Sequence, residues 1–81
     1  MLKELGRARN PAELERKISE LCGALGEPRS IVVVEHDGIY TCFLEMATPL
    51  QNALAIVKFG GILIGNTVTF RIAKTEPSDR P

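Results

Sequence analysis

Two segments of the chain carry apolar residues at the three- and four-residue spacing of an amphipathic helix. The first begins at Asn10-Pro11, an N-cap residue followed by proline at the first helical position, and ends at Gly26, with Pro28 as a stop. Its apolar stripe comprises Leu14, Ile18, Leu21, Cys22 and Leu25. The second begins at Thr48-Pro49, with Gln51 completing a capping box, and ends at Gly60-Gly61. Its stripe comprises Leu50, Ala53, Leu54 and Val57.

Strand patterns fill the rest of the chain. Residues 31–35 are β-branched, and residues 39–46 return after the Asp37-Gly38 turn, which is typical of a hairpin. The last strand, residues 67–72, alternates apolar and polar side chains, and the short apolar piece 62–64 precedes it across Gly65-Asn66. The order is therefore helix, strand, strand, helix, strand.

Only residues 1–5 stand ahead of the first helix, and Leu2 and Leu5 could form a short strand there. With that strand the fold is α+β, a ferredoxin-like βαββαβ sandwich in which a four-stranded antiparallel sheet carries both helices on one face. Without it the first strand is short or absent. We predict a single domain over residues 1–74 and a disordered polar tail over residues 75–81.

One face of such a sheet is open to solvent, and side-chain alternation predicts what it carries. In the second strand Tyr40, Cys42, Leu44 and Met46 point to the core, so Phe43 points outward. The residues predicted on the open face are Val32, Val34, Thr41, Phe43, Glu45, Thr69 and Arg71.

Charge and composition narrow the function. The 81 residues have a formal net charge of zero, which argues against a strongly electrostatic nucleic-acid binder. The two cysteines make no disulfide framework, and both fall at inward positions. The N-terminus lacks the apolar stretch of a signal peptide, and Lys58 and glycines interrupt the most apolar window. We expect a cytoplasmic protein that does not bind a membrane.

The segments LCGALGEPRSIVVV, YTCFLEM and ALAIVKFGGILIGNTVTFRIA together resemble an RNA recognition motif over about residues 12–73. Leu25-Gly26 is similar to the apolar-glycine pair that ends the first helix of this family. Residues 39–46 align with its ribonucleoprotein octapeptide. Phe43 keeps the second stacking aromatic of the octapeptide, whereas Thr41 stands in place of the first.

The resemblance implies weak or context-dependent binding of single-stranded RNA on the open face. Phe43 would stack on a base, with Thr41 and Thr69 beside it. Phosphates would be contacted by Arg71 and Lys74, and by Arg7 and Arg9 ahead of the first helix, where the chain is also basic. Such binding should weaken as salt rises.

A second hypothesis is a protein-interaction or homodimerisation module that keeps the fold without the nucleic-acid motif. Val32, Val34 and Phe43 would form its contact patch, and Glu45 beside them would repel phosphate. If residues 1–5 do not complete the sheet, an exposed edge could also recruit a partner strand or a second copy.

A small enzyme of the same architecture is the least favoured hypothesis. The sequence contains no C-x-x-C, no Walker loop and no zinc-ligand spacing, and we assign His36-Asp37 to the hairpin turn. We therefore predict no catalytic residues, no metal and no cofactor.

Overall fold

The computed structural model describes residues 5–74, and their elements confirm the α+β class. The elements are α1 (Pro11–Leu21), a 3-10 turn (Cys22–Ala24), β1 (Ser30–His36), β2 (Ile39–Glu45), α2 (Pro49–Phe59), β3 (Ile62–Ile64) and β4 (Thr67–Ala73). The predicted tail, residues 75–81, lies outside the described residues.

The strands form one antiparallel four-stranded sheet, as predicted, in the order β1-β2-β4-β3. Both helices pack on one face, which is consistent with the predicted ferredoxin-like layout. In the described sheet β2 pairs directly with β4, and the short piece 62–64 supplies the fourth strand at the edge. Of the first strand predicted over residues 1–5, only Leu5 is described, and it is helical and buried.

The order of elements divides the described residues into two halves with the same sequence of helix and strands. The first half is α1-β1-β2 and the second is α2-β3-β4. The two halves meet where β2 pairs with β4, so β1 and β3 are the outer strands of the described sheet. Each half is a local unit, a helix followed by a hairpin.

Each helix begins at the cap that the sequence predicts. The Asn10 side chain accepts a hydrogen bond from the Glu13 N–H at 2.8 Å, and the Glu13 carboxylate accepts one from the Arg9 N–H. Thr48 Oγ1 accepts a hydrogen bond from the Gln51 N–H at 3.2 Å. These bonds satisfy donors that the first turn of a helix leaves unpaired.

The two helices use their predicted apolar stripes differently. In α1, Leu14, Ile18 and the following Cys22 are buried, as the stripe predicts. In α2 the side facing the core is formed by Asn52, Ala55 and Phe59. The stripe that predicts this helix from the sequence is exposed, and it comprises Leu50, Ala53, Leu54 and Val57.

Side chains of the sheet complete the core beneath the helices. Tyr40, Cys42 and Leu44 of β2 point inward as predicted, and so do Val68, Phe70 and Ile72 of β4. The rings of Phe59 and Phe70 stack in parallel with their centroids 4.7 Å apart, which ties α2 to the second half of the sheet.

Two buried hydrogen bonds and one close backbone approach hold the segments around the core in place. The Tyr40 hydroxyl donates to the Ala8 carbonyl at 2.7 Å, which holds the segment before α1 on the helix side of the sheet. Buried Asn52 accepts a hydrogen bond from the Met46 N–H at 2.9 Å. At Gly61, the residue before β3, a Cβ atom would lie 2.7 Å from the backbone oxygen of Thr69.

Candidate functional site: the open face of the sheet

The register of the strands defines the face that no helix covers. Residues directly opposite one another in antiparallel strands point to the same side of a sheet. Val32 pairs with Phe43, Phe43 with Thr69, and Thr69 with Ile62. These four residues form a row that crosses all four strands, which we call the central row.

Shorter rows lie on either side of the central row. On one side Val34 pairs with Thr41 and Thr41 with Arg71, and beyond them His36 pairs with Ile39. On the other side Ser30 pairs with Glu45, and Ile64 pairs with Thr67. The seven residues predicted on the open face therefore all lie on it.

The face is predominantly apolar and accessible. Six large apolar side chains stand on it with more than a third of their surface exposed, including Phe43 at 37% and Ile62 at 63%. The six are Val32, Val34, Ile39, Phe43, Ile62 and Ile64. They form one group on β1 and β2 and a second group on β3, with Thr67, Thr69 and Arg71 of β4 between them.

Three of these apolar residues go beyond the predicted face. Ile39 has the same alternation as Phe43, so its place was readable from the sequence. Ile62 and Ile64 were not readable, because three consecutive apolar residues show no alternation and only the pairing with β4 reveals their side.

The face carries one charge of each sign near its centre. Glu45 follows Phe43 by two residues along β2, and Arg71 follows Thr69 by two residues along β4, which runs the other way. The two charges therefore stand on opposite sides of the central row. Within residues 5–74 neither side chain forms an ion pair.

The structure brings together four of the seven residues predicted to contact RNA. Phe43, Thr41, Thr69 and Arg71 are neighbours on the open face. The other three, Lys74, Arg7 and Arg9, lie on the helix side of the sheet.

Lys74 is held at the helix side by two partners. Its Nζ lies 3.2 Å from Glu35 Oε2 and 5.8 Å from the centre of the Tyr40 ring, which points inward. Arg7 and Arg9 flank Ala8, whose carbonyl accepts the Tyr40 hydroxyl. Lys74 and the segment with Arg7 and Arg9 therefore both lie near Tyr40, beneath the sheet and apart from Phe43.

The shifted pKa values also belong to the helix side. Burial raises the pKa of the Cys42 thiol to about 12 and raises the pKa of Cys22 and of Tyr40. The hydrogen bond from the Arg9 N–H lowers the pKa of Glu13. Both thiols are thus neutral groups of the core, which agrees with the structural role predicted for them.

The described residues show neither a metal cluster nor a membrane span. Over residues 5–74, no three His, Cys, Asp or Glu side chains come together as a metal ion would need. No helix in that range is long and apolar enough to cross a bilayer.

Comparison of the chain with protein-family models, curated proteins and solved structures finds no match in any of the three. Membership of the RNA-recognition-motif family therefore stays a prediction, and so does the RNA binding that it implies.

Proposed function

We propose that the protein is a protein-interaction module that binds an apolar protein surface through the open face of its sheet. The observation that carries this proposal is the set of six exposed apolar side chains that extends from β1 to β3 on that face. Burying such side chains against a partner removes apolar surface from water, which is the main driving force of most protein association.

The charges of the face favour protein over nucleic acid. Sites for single-stranded RNA combine a positively charged groove with several stacking aromatics. Phe43 is the single Phe, Tyr or Trp described on this face, and Arg71 near it is offset by Glu45. Lys74 is paired with Glu35 on the other side of the sheet, so it does not add to a cationic groove.

RNA binding is the second candidate, and one observation favours it. Phe43 is exposed, Thr41 and Thr69 flank it on a sheet, and Arg71 stands next to Thr41. This arrangement offers one stacking platform with one cation in reach of a phosphate. On stacking energies of about 1–3 kcal/mol per base, a single platform supports weak, salt-dependent binding.

We place the protein in the cytoplasm and assign it a binding role rather than a catalytic one. The support for the location is the pair of free cysteines, Cys22 and Cys42, which are buried as thiols and not joined in a disulfide.

A pair of lysine substitutions distinguishes the two functions, because it should weaken protein binding and strengthen RNA binding. Val34→Lys with Ile62→Lys places two cations on the open face at exposed positions, where the fold should tolerate them. Binding of an apolar protein surface should be lost, whereas RNA binding should strengthen. Val57→Lys is the matched control, because Val57 is 82% exposed on α2, away from the face.

The first measurement is affinity capture from a nuclease-treated extract of the cells that produce the protein. We expect partners retained by the wild type and by Val57→Lys and lost from the double-lysine variant. Equal capture by all three proteins would contradict the proposal. In parallel, amide shifts are followed by NMR during titration with a mixed pool of short single-stranded RNAs. Salt-sensitive shifts at Thr41, Phe43, Thr69 and Arg71 that grow in the double-lysine variant would support RNA binding instead.

A further inference from the structure

The charges on the open face select a partner for it. Resting on the proposed function, we propose that this partner is a second copy of the chain, packed face to face about a two-fold axis that runs along the central row. Two-fold dimers use the same patch on both subunits, so the patch must be complementary to itself. The positions of Glu45 and Arg71 meet that condition.

Rotation about the central row exchanges its two sides. Glu45 lies two residues from Phe43 on one side of the row, and the Thr41–Arg71 pair lies two residues away on the other. The rotation therefore carries Glu45 of one copy over Thr41 of the other, with Arg71 on the adjacent strand about 4.8 Å away. Symmetry makes the same contact twice, so both charges of each copy gain a partner of opposite sign.

The alternative axis, parallel to the strands, does not match the charges. It preserves the position of each residue along the strand, so Glu45 and Arg71 of different copies stay four residues apart along the strand direction. At about 3.4 Å per residue that separation is about 14 Å, too far for an ion pair. Within one chain Glu45 and Arg71 are also about 14 Å apart along the strand direction.

Three of the six apolar residues fit the same arrangement. Residues of the central row lie on the axis, so Val32, Phe43 and Ile62 each meet their own copy, and no charge is placed against them. Sheets that pack face to face stand about 10 Å apart, with their strands within about 30° of each other. Arg and Glu side chains are long enough to meet across that gap at such an angle.

The area of the open face sets the expected affinity of the dimer. Four strands at about 4.8 Å and three outward positions at about 6.8 Å give a face of roughly 20 by 20 Å per copy. At about 400 Å² per copy and about 800 Å² in total, the face is smaller than the roughly 1,200–2,000 Å² of a standard specific interface, so the dimer should be weak and reversible, with a dissociation constant on the order of micromolar or above.

The test is charge reversal measured by analytical ultracentrifugation from about 10 μM to about 1 mM protein. We expect a wild-type dimer that dissociates on dilution. Glu45→Arg and Arg71→Glu should each raise the dissociation constant about tenfold or more, because each creates two like-charge contacts per dimer. The double variant carrying both changes should return to within about threefold of wild type, because reversing both signs restores both pairs. Val57→Lys should dimerise as the wild type does.

Rescue in the double variant reports an intermolecular contact, because Glu45 and Arg71 are too far apart to pair within one chain. A wild type that stays monomeric at about 1 mM would overturn the homodimer. So would a dimer in which the double variant is no tighter than the single variants. Loss of captured partners from Val34→Lys/Ile62→Lys would still uphold the proposed function in either case, whereas equal capture by all variants together with a monomeric wild type would overturn both.

Discussion

The two halves of the molecule have the same order of elements but bury their helices by different rules. Each helix has eleven residues, a capping residue and a proline at its first position. In the first half the apolar stripe of α1 faces the core, and in the second half the stripe of α2 faces solvent. The difference teaches that caps locate a helix in the sequence, whereas a stripe orients it only when its opposite side is polar.

The side opposite the stripe explains the difference. In α1 that side carries Arg16 and Glu20, which form an exposed ion pair at 3.5 Å and leave one side suited to the core. In α2 both sides carry apolar residues. Asn52 and Phe59 then decide the orientation, because Asn52 satisfies the Met46 N–H and Phe59 stacks on Phe70. Burying Leu50 and Val57 instead would break both contacts.

The largest effect is expected at Phe59, which anchors α2 to the sheet. Phe59→Ala removes a buried ring that stacks on Phe70 and leaves a cavity. We expect a loss of about 3–5 kcal/mol in the free energy of unfolding, measured by urea denaturation. A loss below 1 kcal/mol would mean that α2 is not oriented through this residue.

The next effect contrasts the two stripes with the same substitution. Leu14→Ala in α1 truncates a fully buried side chain and should cost about 2–5 kcal/mol. Leu50→Ala, near the start of α2, truncates a side chain that is 70% exposed and should change stability by less than about 0.5 kcal/mol. Urea denaturation of both variants tests the comparison directly, and equal losses would show that the α2 stripe is packed.

A smaller effect is expected at Asn52, the polar residue on the core side of α2. Asn52→Ala leaves the Met46 N–H buried without its acceptor and should cost about 1–3 kcal/mol. The exchange of the Met46 amide with deuterium should also accelerate. Unchanged protection of that amide would contradict the role assigned to Asn52.

The smallest loss of stability is expected from removing the helix caps, and it should be the same in both halves. Asn10→Ala and Thr48→Ala each remove a side chain that accepts a hydrogen bond at the start of its helix, and each should cost about 1 kcal/mol. Thermal denaturation compares the two. The shared sequence pattern predicts that the two caps are equivalent. A loss of stability in only one of the two variants would contradict that prediction.

Features encoded by near neighbours were predictable from the sequence. The two caps, the Asp37-Gly38 hairpin and the outward position of Phe43 follow from local chemistry and alternation. Asp37 and Gly38 both have positive φ, which suits that pair of residues.

Features set by distant contacts were not predictable. The orientation of α2 depends on Met46 and Phe70, and the side taken by Ile62 depends on its pairing with Thr69. Lys74 was predicted to contact RNA, but its partner Glu35 lies far away in sequence on β1, and only the pairing of β2 with β4 brings the two residues together.

The close approach at Gly61 sets the width of the open face. Any side chain at this position would press on the backbone of Thr69 and force β3 away from β4. Ile62 and Ile64 would leave the face with that strand, and the face would narrow from four strands to three. A residue with no side chain on the open face thus determines how much apolar surface that face exposes.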